Sequence, residues 1–243
     1  MSADAIPADG PLLALDTSGR DAVVGLAHAE AVDLTVVPRE AGRHARSLVP
    51  TLADVLTAAG LEAGDLAGVA VNLGPGSFTG LRVGVTVAQM IGWSRDVPLV
   101  GCGLFELLAH QSRSLAARRR LLIANAEREE LFVAECGSAE CRPDRPDAEV
   151  SFTIASDESV LGRIDENTVV LGDIPRRLQT TLPTPPALPP LAESLAVLGR
   201  QRLAAGACVP PAQILPVYGR RSAAEELREA GRRSKTETAR SAS

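Results

Sequence analysis

The chain has 243 residues and a formal net charge of −5, long enough to bury one large core or two lobes and without a global case for binding nucleic acid. Aromatic residues make up 2% of it, which excludes an array of stacking platforms for single-stranded bases and leaves Leu, Val, Ile and Ala to build the core. No run approaches the roughly 18 apolar residues of a membrane span, and residues 1–10 carry two acidic side chains and no basic n-region; the expectation is a cytoplasmic protein with a flexible start.

Leu12-Leu13-Ala14-Leu15-Asp16 reads as an apolar strand ending in a carboxylate. Thr17 to Asp21 turns the chain, Ala22 to Ala27 runs back, and Ala31 to Val37 can form a third strand of the same meander. Asp16 and Thr17 at the first turn have two readings. An Asp there could orient a metal or a water near nucleotide phosphates, or it could simply bond backbone amides of its own turn. Beyond Arg43-His44-Ala45-Arg46-Ser47 a helical pattern runs through Leu48, Val49, Leu52, Val55, Leu56 and Ala59, with Gly60 as its C′ residue. His44 sits at the start of that helix, a position suited to a cap or a surface contact.

The most informative stretch is Val69 to Gly84. Val69 to Leu73 is a short buried-strand pattern, Gly74-Pro75-Gly76 is a turn, and Ser77 or Thr79 can cap the helix that follows. Free N–H groups at such a helix start can hold a phosphate, or the glycines may serve only close packing of helix on strand. No lysine follows in P-loop spacing. In the helix, Gly80, Gly84, Ala88 and Gly92 form a small-residue stripe, with apolar residues on the other sides. Something must cover this helix on more than one face, either the chain's own sheet or a second chain.

Val97 to Gly101 then reads as a strand and Leu104 to Ala117 as a helix running into Arg118-Arg119-Arg120, a basic run that complements a helix C-terminus. Strand candidates follow at Leu121–Ala124, Leu131–Glu135, Val150–Ile154 and Thr168–Leu171, with a short helix between the last two. Residues 175–190 are proline-rich and exclude a regular helix. Leu191 to Ala205 is helical in pattern, Ile214 to Tyr218 extended, and residues 220–243 form a charged tail. The cysteines, Cys102, Cys136, Cys141 and Cys208, match no common zinc spacing and are expected to be reduced thiols.

Four segments together resemble one family: Leu15-Asp16-Thr17-Ser18; Arg43 to Pro50; the Gly74-Pro75-Gly76-Ser77-Phe78-Thr79-Gly80-Leu81-Arg82 run with Gly84; and Pro216-Val217-Tyr218-Gly219-Arg220. They are similar to TsaB proteins, the dimerisation subunits of the bacterial system that makes threonylcarbamoyladenosine in tRNA. The likeness is dense over residues 11–110 and sparse afterwards. It implies an α/β, two-lobed actin/Hsp70-like (ribonuclease H-like) fold, each lobe a mixed sheet of β-β-β-α-β-α type. The lobes would span 11–110 and 111–219. It further implies pairing with a TsaD-like transferase, recruitment of a TsaE-like ATPase through that pair, and contact with tRNA only through the complex.

The catalytic relatives carry histidine metal ligands after the strand that follows the glycine-rich helix; here those positions fall on Leu104 and Leu108, and leucine cannot coordinate a metal. Where the family's second lobe opens with Asp-Ala-Arg, this chain has Asn125-Ala126-Glu127. The expectation is therefore a non-catalytic, pseudoenzyme-like subunit supporting modification of ANN-decoding tRNAs, with no cofactor of its own and ATP and metal on its partners. Its partner surface is expected at His44, Leu48, Leu52, Gly76, Phe78, Arg82, Gly84 and Ala88, on helices near 44–59 and 79–93. A homodimer through the same face would form when the partner is absent. The alternative is an actin-like kinase or transferase acting alone, holding nucleotide phosphates at Asp16, Thr17, Gly74 and Gly76.

Overall fold

A computed structural model of the chain describes residues 10–28, 31–37, 44–115, 119–126, 129–136, 150–182 and 186–219, with the backbone alone at 44–46. The expectations for residues 1–9, the 220–243 tail, Cys141, Glu127 and the side chain of His44 lie outside the described residues.

Two sheets form the framework. In the first, β1 (Leu12–Asp16) pairs antiparallel with β2 (Ala22–His28), and β2 with β3 (Ala31–Val37). On the other side of β1, β4 (Gly68–Gly74) and β5 (Leu99–Gly103) run parallel to it, giving the order β3-β2-β1-β4-β5. β1 is buried along its whole length, because helices cover both faces of the sheet. Leu13 and Leu15 face α1 (His44–Ala58) and α2 (Phe78–Arg95), through Leu48, Leu52, Leu56, Val85 and Ile91. Leu12 and Ala14 face α5 (Leu191–Ala204), through Leu195, Ala196 and Leu198. A sheet buried on both sides needs apolar residues at every position rather than at alternate ones.

The second sheet repeats the first with one strand fewer. β6 (Arg119–Asn125), β7 (Glu130–Cys136) and β8 (Thr153–Ser156) form an antiparallel meander, and β9 (Thr168–Gly172) lies parallel to β6, giving the order β8-β7-β6-β9. The helix between third and fourth strands is α1 in the first lobe and the short α4 (Asp157–Leu161) in the second. The α/β two-lobed architecture is thus as expected, and its internal duplication is visible in topology although not in residues.

Several boundaries differ from expectation, each for a local reason. α3 (Leu104–Gln111) stops well before Ala117. Ser112 Oγ bonds back to the carbonyls of Leu108 and Ala109, and Arg120 Nη1 donates to Ser112 O at 3.0 Å. One arginine of the basic run does satisfy a helix terminus, but from a strand; Arg119 instead pairs with Glu135 at 2.8 Å. β5 begins at Leu99 rather than Val97, where pairing with Val69 starts. β8 covers Thr153–Ser156 rather than Val150–Ile154. Cys136 is disulfide-bonded, which corrects the expectation of reduced thiols there, while Cys102 and Cys208 are free.

α5 is the larger surprise. It follows the second sheet in sequence yet packs on the first, approaching so closely that a Cβ on Gly199 would sit 2.5 Å from the Cβ of Ala70. The first lobe therefore includes α5, and a division at residue 110 cuts through its packing.

Candidate functional site

The C-terminal ends of β1 and β4 meet at a compact polar knot. Asp16 Oδ1 accepts from Ser18 N at 3.0 Å, Ser18 Oγ at 2.7 Å and Asn72 Nδ2 at 3.0 Å. Asn72 Nδ2 also reaches Ser18 Oγ at 2.9 Å, and its Oδ1 accepts from Gly74 N at 2.9 Å. All three side chains are buried, so these bonds satisfy groups that would otherwise be costly to desolvate. Asp16 acts as the turn-stabilising carboxylate of the two readings. Asn72 was not singled out in the sequence; its signal was an amide inside an otherwise apolar strand.

The glycine turn closes on this knot. Gly74 adopts φ +101 and precedes a cis peptide to Pro75. Ser77 N donates to Ser18 O at 2.8 Å, and Ser77 Oγ caps α2 by accepting from Gly80 N at 3.3 Å. A phosphate cradle would draw on such amides, but those of Gly74, Ser77 and Gly80 are engaged within the chain. A Cβ on Gly76 would fall 2.6 Å from Ser18 O, one on Gly80 2.0 Å from Thr17 O, and one on Gly84 2.2 Å from Thr17 Oγ1. The stripe of small residues thus lets α2 lie directly on the β1 turn. Thr17 Oγ1 is buried there without a hydrogen-bond partner.

This geometry corrects part of the expected partner surface. Gly84 and Ala88 are buried against the chain's own first sheet, and Leu48 and Leu52 lie in the core, at 1% and 7% exposure. They shape the helices and cannot themselves touch a second chain. Phe78 and Arg82 remain on the outer side, with Gly76 half-buried at the turn. Two residues absent from the expected set stand out instead. Met90 and Trp93 are 59% and 62% exposed, on the same side of α2 as Arg82 and Thr86 by their 4-4-3 spacing, and Val49 on neighbouring α1 is 51% exposed. Trp93 is the only tryptophan in the chain.

At the first turn of α2, Arg82 Cζ lies 4.2 Å over the ring of Phe78, and Arg82 Nε donates to the hydroxyl of Tyr218 at 3.0 Å. The two rings are 4.7 Å apart. Two of the segments that carry the family resemblance, 136 residues apart at Arg82 and Tyr218, are therefore one cluster.

The described residues at the positions expected for a metal do not fit one. Leu104 and Leu108 are buried apolar side chains in α3, packed on the second sheet, and among the described residues no three His, Cys, Asp or Glu side chains are grouped to hold an ion. His110, the histidine of that helix, is buried beside Arg113, and burial followed by that charge lowers its pKa to about 4. At the opening of the second lobe, Asn125 Oδ1 is approached by Arg177 Nη1 at 3.4 Å, while Arg177 binds both carboxylate oxygens of Asp157 at 2.6 and 3.0 Å. No helix among the described residues is long and apolar enough to cross a membrane.

The chain is similar to the tRNA threonylcarbamoyladenosine biosynthesis protein TsaB of Escherichia coli, 32% identical over 127 residues, covering 51% of this chain and 54% of that protein. It is also similar to TsaB of Bacillus subtilis, 31% identical over 102 residues, or 42% and 44% of the two chains. The chain matches about half the length of these relatives. A crystal structure from Pseudomonas aeruginosa, described as an uncharacterized protein with similarity to peptidase YEAZ, superposes with a TM-score of 0.64 at 25% identity, over 87% of this chain and all of that one. The family model for TsaD, described as tRNA N6-adenosine threonylcarbamoyltransferase, matches residues 27–162. That span is more than half of the sequence, and the chain belongs to this family.

Proposed function

We propose that the chain is a non-catalytic subunit that binds a TsaD-like transferase and supports threonylcarbamoyladenosine modification of ANN-decoding tRNAs. The observation that carries this reading is the row of exposed apolar side chains on α2, Met90 and Trp93, with Val49 also exposed on α1. Both helices already bury their other faces in the first lobe, so this row is surplus to the chain's own folding. The partner's corresponding helices would cover it. Leucine at both positions where the catalytic relatives place histidine ligands supports a supporting rather than a chemical role. ATP and metal would then sit on partner subunits, a TsaE-like ATPase would join through the heterodimer, and tRNA would bind to the assembled complex. Without the partner, the same face would pair two copies of the chain.

The test is co-purification with the TsaD-like protein of the same organism, followed by tRNA modification with and without this chain. Met90→Asp with Trp93→Asp should weaken that complex by more than about 100-fold, the effect of removing central apolar anchors. It should leave the thermal midpoint nearly unchanged, because both side chains are exposed. Normal binding by the double variant, or full modification with the chain omitted, would overturn the proposal.

A further inference from the structure

The segment after α5 has no regular secondary structure, yet it is fastened at every few residues. Val209 N donates to Leu99 O at 2.8 Å, at the edge of β5. Gln89 Nε2, on α2, donates to the carbonyls of Pro211 and Ile214 at 3.0 and 3.1 Å. Ile214 is buried in the first lobe's core. Val217 N then donates to Leu73 O at 2.7 Å, at the end of β4, and Val217 O lies against Gly74. Tyr218 stacks on Phe78 and accepts from Arg82. One residue later the chain reaches the second lobe, where a Cβ on Gly219 would sit 2.3 Å from Cε1 of Phe132 in β7.

We infer that residues 209–219 act as a strap that clasps the two lobes together and holds the glycine turn and first turn of α2 in place, with Tyr218 as its positioning residue. The path supports this directly. The strap runs along α2 from its far end to its N-terminus, covers the β4 end, and terminates on the other sheet. Its contacts are mostly main-chain carbonyls and amides, so its course depends on a few side-chain anchors. Ile214 anchors its middle in the core, and Tyr218 anchors its end, where a ring contact, a guanidinium 5.8 Å from the ring and a hydrogen bond converge. The strap also presents Leu215, 62% exposed, and Tyr218 itself, 40% exposed, beside Phe78. The surface near the first turn of α2 is thus built jointly by residues far apart in sequence.

The test is hydrogen–deuterium exchange on the isolated full chain, so it does not depend on any partner. In Tyr218→Ala, peptides covering residues 74–82 should exchange about tenfold faster, while those of β1 and β6 keep their rates, the signature of a local opening. Tyr218→Phe keeps the stack and loses the hydroxyl, and should give a change of only about two- to threefold in the same peptides. Gly219→Val forces the strap off Phe132 and should loosen residues 131–133 instead. Fluorescence of Trp93 through a urea transition confirms that each variant is folded. Unchanged exchange at 74–82 in Tyr218→Ala, or loosening spread equally through β1 and β6, would overturn the inference.

Discussion

The two lobes share a strand order but not a closing helix. In the first, β4 ends in Gly74-Pro75-Gly76 and leads into α2, 18 residues long. In the second, β9 ends in Gly172, again with positive φ, and leads through Asp173-Ile174-Pro175 into a single 3-10 turn, Arg176–Leu178, and then the proline-rich stretch. A helix can start after either glycine turn, but only the first is followed by residues that let it continue. Gly80, Gly84 and Gly92 bring α2 onto the turn and sheet beneath it, whereas repeated prolines remove donors and fix φ in the second lobe. The second sheet is instead covered by α3, through Leu104, Phe105 and Leu108, which arrives from the end of β5. One lobe thus has a long helix with a face to spare, and the other depends on a helix from its neighbour.

The comparison can be broken most severely at the glycine stripe. Gly84→Leu, or Gly80→Ala with its Cβ directed at a backbone oxygen, should cost more than about 3 kcal/mol and yield little folded protein, because Thr17 and the β1 turn cannot retreat. Urea unfolding or soluble yield checks this, and near-wild-type stability would show that the helix can lift off the turn.

A cut at the joint between the lobes should rank next. Arg202 of α5 donates to Glu106 Oε1 and to Gly101 O, and Glu106 Oε2 accepts from Gly103 N at 3.1 Å. The pair is largely buried, at 14% exposure on each side. Arg202→Met should destabilise by up to about 3 kcal/mol by removing the guanidinium charge beside a largely buried carboxylate, and the double change with Glu106→Met should recover part of that loss. Equal urea midpoints for the single and double variants would show that the pair does not join α5 to α3.

A smaller effect is expected from pH. Burial holds His110 down at about 4, below its usual value of 6.5. The unfolded chain then takes up a proton first, so stability is fully present above pH 6.5 and falls as pH drops toward 4. The loss should be roughly 1 kcal/mol between pH 7 and pH 5.5, and His110→Leu should flatten that slope in urea titrations at the two pH values. The smallest change belongs to the second lobe. Gly162, at the end of α4, has an ordinary helical φ of −67, and a Cβ there would make only ordinary contact, with nothing nearer than 3.6 Å. Gly162→Ala should be neutral or stabilise by about 0.5 kcal/mol, opposite in sign to the first-lobe glycines. A clear loss of thermal stability would show that this lobe also relies on close approach.

Much of the fold was legible because local pattern and tertiary role coincide. The apolar runs of β1 and β4, the cap at Ser77, the C′ glycine at Gly60 and the prolines after β9 each act within a few residues, so sequence alone determined those elements and their order. The candidate site was legible in place but not in orientation. The run from Gly74 to Gly84 announced a close approach, and a stripe of glycines reads the same whether the approaching backbone belongs to the same chain or to another. Only the tertiary structure decided that Gly84 and Ala88 face the chain's own β1 turn, that Met90 and Trp93 are left outside, and that α5 crosses back to the first sheet. The Phe78–Arg82–Tyr218 cluster and the Asp16–Asn72 bond join residues 136 and 56 positions apart. Periodicity carries no information across such separations, because what fixes those contacts is packing of whole elements rather than any local preference of the chain.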